Sequence, residues 1–106
     1  MSRSARHEEP EIDEAALAVA RLVERAAVAS GAIGAARWER YLARLPDRLR
    51  DDPPASLRPA ARAVRAAYGP KDSIRDALPA DATEPLLTAV DRLLRLLDRR
   101  DARVRD

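Results

Sequence analysis

A side chain does chemistry only when its group is of the right kind and is held in place, and this sequence supplies few such groups. His7 is the only histidine. It stands in a polar N-terminal stretch with nothing around it to fix an imidazole for acid-base or metal work. Carboxylates gather at Glu8, Glu9, Glu11, Asp13 and Glu14, and again at Asp51 and Asp52. Neither group has the Glu-x-x-His spacing that projects two ligands from one face of a bundle helix, so both read as solvated charge. Gly31 and Gly34 lack the lysine, serine or threonine that completes a phosphate-binding loop. There is no cysteine, which removes disulfides, thiol nucleophiles and thiolate metal sites. No serine, threonine or lysine stands in a nucleophile motif either, so the expected protein is not an enzyme and has no cofactor and no metal.

Two other groups of residues suit recognition. Arg37, Arg40 and Arg44 repeat at intervals of three and four, and on a helix they form one basic ridge beside Trp38 and Tyr41. Tryptophan, tyrosine and arginine dominate binding energy where they are buried at a partner surface, which makes these five residues the expected protein-binding set. Core packing competes for Trp38, and plain solvation competes for the arginines. Lys71 is the only lysine among 20 basic residues, a bias that reads as codon usage in a GC-rich genome and discounts arginine as a signal on its own. The second group lies between residues 62 and 78. Ala66, Ala67, Tyr68 and Gly69, followed by the segment 72–78, resemble the first helix, glycine turn and reading helix of a helix-turn-helix. Lys71 and Arg75 would then meet phosphates or base edges. The pattern departs from that motif at Arg65, where a small buried residue belongs, at Pro70 directly after the glycine, and at the acidic Asp76.

Helices must position all of these residues. Ile12, Ala16, Val19, Val23, Ala26 and Ser30 alternate spacings of four and three, which predicts a first helix from about Ile12 to Ala29. Gly34, Trp38, Tyr41, Leu42 and Leu45 continue at helical spacing to Pro46. A break near Ser30 and Gly31 is expected, with one long helix bent at the glycines as the other reading. Residues 46–54 hold three prolines and three aspartates around Leu49, which predicts a connecting loop. A third helix opens at Ser56, buries Leu57, Ala61, Val64 and Tyr68, and stops at Gly69 and Pro70. A helical turn entered through Asp72 covers Ser73 to Leu78. The last helix carries Leu86, Leu87, Val90, Leu93, Leu94 and Leu97 on one face, with Asp81 and Glu84 at capping-box spacing before it.

The chain has 106 residues, enough for one domain with a modest core. Residues 1–10 read as a disordered tail, 11–99 as a single helical domain, and 100–106 as a frayed, charged end. The net charge is +2 although 36% of residues are charged, so the two signs are interspersed and no single field favours nucleic acid. No apolar run approaches the roughly 20 residues needed to span a bilayer, and no signal-peptide core is present, so a cytoplasmic location is the default and no membrane contact is expected. The fold expected is all-α, an irregular four-helix bundle with one extra short helical turn. Its expected role is a non-catalytic helical module, a small accessory or regulatory subunit that binds another protein or itself, with a homodimer as one form. The alternative is a DNA-binding regulator or antitoxin-like repressor built on residues 62–78.

Overall fold

Ile12, Ala16, Val19, Val23 and Ala26 face inward along α1, Pro10–Ala32, as their spacing requires. The structure is a computed structural model, and it describes residues 6–105. Pro10 starts α1, where its missing amide hydrogen costs little, and Glu11 and Asp13 meet the positive end of the helix dipole. Ala15, Ala16 and Ala20 are at most 1% exposed, and side chains this small let a neighbouring helix axis come close.

The break after α1 falls three residues later than predicted. Ser30 is buried, and its hydroxyl donates to the Ala26 carbonyl at 2.8 Å, so it is satisfied inside α1 and does not cap a new helix. The stop comes at Gly34, with φ at +75°. Ala35 N–H donates to the Ser30 carbonyl at 2.8 Å and Gly34 N–H to the Gly31 carbonyl at 3.1 Å. This is a Schellman ending, which needs the left-handed conformation that glycine adopts without strain. A separate helix, α2, then spans Ala36–Ala43.

A helix, α3, Pro46–Asp51, replaces the predicted connecting loop. Proline at the first position presets the helical φ and sacrifices no hydrogen bond. Leu45 and Leu49 are four residues apart and both buried, so a turn of helix brings both onto α1. A 3₁₀ turn, Pro54–Ser56, leads into α4, Arg58–Ala66, which buries Ala60, Ala61 and Val64. Tyr68 is buried just beyond its end. The single turn α5, Ile74–Ala77, is capped by Ser73, whose hydroxyl accepts from Arg75 N–H at 3.1 Å. Ser73 thus takes the entry role predicted for Asp72.

The last helix, α6, Ala80–Arg105, buries Leu86, Val90, Leu93 and Leu97 as predicted and adds Thr83 and Leu96. Leu87 and Leu94 lie half-buried at its flanks. Glu84 does not fold back to complete a capping box, because its carboxylate is engaged by Arg75 at 2.8 and 2.9 Å. The Pro79 carbonyl instead accepts the Ala82 and Thr83 N–H groups at 3.0 and 3.2 Å.

At both ends of the described residues, side chains outside 11–99 make contacts with the bundle. Of the expected tail, residues 1–5 lie outside the described residues, but Arg6 is only 3% exposed. Its Nε donates to Asp13 at 2.7 Å and its Nη1 to the Asp52 carbonyl at 2.8 Å. Glu9 accepts from Arg100 at 2.8 Å, so the start of α1 meets the far end of α6 and the two helices run antiparallel. The same ion pair, with Arg58 to Asp101 at 2.5 Å, holds the segment predicted to fray, and α6 continues to Arg105. Residue 106 lies outside the described residues. The most extensive helix contact is α1 against α6, with α2 and α3 on α1 and α4 on α6. The fold is an all-α bundle, 82% helical, with four helices of at least seven residues and no strand among the described residues.

Candidate protein-interaction surface

Helix α2 is anchored by Leu42, which is fully buried, and this fixes what the rest of the helix shows. Trp38 and Tyr41 are half-buried, and Arg37, Arg40 and Arg44 are exposed. The two rings meet edge to face, with centroids 5.8 Å apart and planes at 78°, the arrangement that aromatic quadrupoles favour. The Tyr41 hydroxyl donates to the Ala63 carbonyl at 2.7 Å, which ties α2 to α4. Its polar tip is thereby satisfied. The Arg37 guanidinium lies 5.4 Å from the Trp38 ring centre, and that of Arg44 lies 5.5 Å from Tyr41. At this distance the ring quadrupole attracts each guanidinium.

The ridge also lacks internal counter-charge. Among the described residues, no carboxylate pairs with Arg37, Arg40 or Arg44. Glu39 is the only acid on α2, and its carboxylate lies over Gly31 at the end of α1, in the space a side chain at position 31 would occupy. A bare Cα at Gly31 therefore lets Glu39 turn toward α1. Two large apolar side chains near this end of the bundle are also uncovered: Val28 is 73% exposed and Ile33 59%. Val28 lines a shallow depression of about 390 Å³ with Arg21, Glu24 and Arg25. The five residues that spacing assembles as a protein-binding set thus lie on one helix, with Trp38 and Tyr41 half in the core and half at the surface.

A neighbouring feature escaped the sequence reading. Arg58, Arg62, Arg65, Ala66, Leu94 and Asp98 line a groove of about 430 Å³ between α4 and α6. Arg58 donates to Asp98 at 2.8 Å and to Asp101 at 2.5 Å, and these bonds hold its guanidinium above its usual pKa. Arg65 donates to Asp91 at 3.0 Å. Arg62, between them, has no ion-pair partner among the described residues. The spacing of 58, 62 and 65 repeats the four-and-three ridge pattern of α2, and this was the available signal.

The residues of the DNA-binding alternative are arranged differently. Lys71 is exposed in the turn between α4 and α5, while Arg75 is held by Glu84 through two hydrogen bonds and lies 5.6 Å from the Tyr68 ring centre. The Arg75 bond holds the Glu84 carboxyl below its usual range. The segment predicted as a reading helix is the four residues of α5, with Ile74 fully buried. Behind it the Tyr68 hydroxyl donates to the Thr83 carbonyl at 2.5 Å. Burial, and then the nearby Glu84 charge, push that phenol up to about 12.

Among the described residues, no group of three or more His, Asp or Glu side chains is arranged to hold a metal ion. No helix in the same range is long and apolar enough to cross a membrane. Comparison with protein-family models, curated proteins and solved structures finds nothing that matches this chain.

Proposed function

We propose that this chain is a non-catalytic protein-interaction module, a small accessory or regulatory subunit that engages another protein or a second copy of itself through α2. The carrying observation is the juxtaposition at that helix of two half-buried aromatic rings with arginines beside them and, among the described residues, no carboxylate paired with those arginines. Aromatic and arginine side chains of this kind contribute most where a partner completes their desolvation. The DNA-reading alternative has less to stand on, since Arg75 is already engaged and α5 is a single turn.

Crosslinking in cells, comparing the wild-type chain with Trp38→Ser and with Arg40→Glu, tests this reading alongside light scattering of the purified protein. The expected result is a crosslinked partner, or a dimer, that both substitutions weaken. A strict monomer with no crosslink sensitive to either change would overturn it.

A further inference from the structure

Resting on that reading of α2, we infer that the partner presents an acidic segment with interspersed apolar side chains, and that this segment crosses from the α2 ridge onto the groove between α4 and α6. The Tyr41 hydroxyl on the Ala63 carbonyl ties α2 to α4, the helix that carries Arg62. Arg62 is exposed, and its neighbours Arg58 and Arg65 are already paired with Asp98, Asp101 and Asp91. The free positive charge of the groove is therefore at Arg62, above a floor to which Ala66 and Leu94 contribute apolar surface. Arg40, Arg44 and Arg62 together offer carboxylates a track of donors that carry no internal counter-charge among the described residues.

The carboxylates that line this track select a peptide over a nucleic acid. Asp98 lies in the groove and Asp91 holds Arg65 at its edge. Both repel the unbroken row of charges on a phosphodiester backbone, whereas a peptide can set its apolar side chains and backbone N–H groups against these oxygens and place its own carboxylates on Arg40, Arg44 and Arg62. Guanidinium forks match carboxylates in a two-point geometry, and Arg44 lies near the Tyr41 ring with no carboxylate of its own among the described residues.

Fluorescence anisotropy of the full chain tests this with three probes: a short synthetic peptide of glutamate, aspartate and leucine, its lysine-for-acid counterpart, and a short DNA duplex. The acidic peptide should bind best, and its affinity should fall as salt rises. Arg62→Gln, Arg40→Gln and Arg44→Gln should each weaken it about two- to fivefold, the range of an exposed ion pair. Circular dichroism on each variant confirms that helix content is kept. Tighter binding of the duplex or of the lysine peptide overturns the inference, as does an affinity that Arg62→Gln leaves unchanged. If Trp38→Ser weakens the crosslink or dimer seen with the wild-type chain while Arg40→Gln, Arg44→Gln and Arg62→Gln leave it intact, the interface on α2 survives and the acidic track does not. Silence of all the variants removes both.

Discussion

Arg6 lies on Asp13, with Nε donating to Oδ1 at 2.7 Å and the arginine 3% exposed. Through Nη1 it also reaches the Asp52 carbonyl just past α3, so one side chain clasps the chain before α1 to two helices. Its Nη2 is buried with no hydrogen-bond partner, so part of the gain is offset by desolvation. Asp13 remains a third exposed and can rehydrate when the pair is broken. Arg6→Ala should therefore cost about 1 to 3 kcal/mol, below the usual penalty for splitting a fully buried pair. Arg6→Met should cost less than Arg6→Ala, because it refills the space. Urea unfolding reads both as a lower midpoint at unchanged m, and an unmoved midpoint for Arg6→Ala would show that the clasp contributes nothing.

The two glycines at the end of α1 should respond in opposite directions to alanine. Gly34 has φ at +75°, where any Cβ is strained whatever the space around it, so Gly34→Ala should cost about 1 kcal/mol. At Gly31 the new Cβ meets the carboxylate end of Glu39, a flexible side chain that can swing away. Gly31→Ala should then fall between neutral and about 1 kcal/mol stabilising, from the better helix propensity of alanine. Thermal melts of the two variants give the comparison, and equal losses would refute the assignment of the turn.

Leu49 tests whether α3 belongs to the core. It is fully buried against α1 in a segment whose composition reads as a loop. Leu49→Ala should cost about 2 to 5 kcal/mol, as for a leucine removed from a close-packed core. Leucine in a surface loop would lose well under 1 kcal/mol in the same chemical-denaturation experiment.

Tyr68 should make the protein sensitive to alkali. Its folded pKa of about 12 lies above the ordinary value of 10.0, so the proton is bound more tightly in the folded state. That stabilisation is fully present below pH 10 and is lost as the pH rises from there through the folded value. The total is at most about 3 kcal/mol. Tyr68→Phe should lower stability at neutral pH by about 1 kcal/mol, since the Thr83 carbonyl loses its donor, and it should flatten the alkaline decline. Stability measured between pH 9 and 12 on both proteins checks the sign. A decline of equal steepness in the variant would exclude Tyr68 as its source.

The helices α1, α4 and α6 were legible because each is specified by a spacing internal to itself. Ile12 to Ala26, Leu57 to Val64 and Leu86 to Leu97 each put a contiguous apolar stripe on one side of a helix, and burial follows from that stripe alone. The ridge Arg37, Arg40, Arg44 and its aromatic neighbours Trp38 and Tyr41 were legible for the same reason. Helix α3 was not, since six residues with one leucine carry no period, and it forms because Leu45 and Leu49 find α1 already in place. Composition also misread Arg6 and Glu9, because their partners Asp52 and Arg100 lie 46 and 91 residues away.

The state of the α2 surface depends on the same long-range approach. Spacing put the arginines in a row, but the removal of Glu39 to Gly31 and the bond from Tyr41 to Ala63 come from how close α2 stands to α1 and α4, and the lone charge of Arg62 from how α4 meets α6. Periodicity within a helix says which face is buried. It carries no information on which atoms of two distant helices come within hydrogen-bonding distance, because that depends on the packing of every side chain between them.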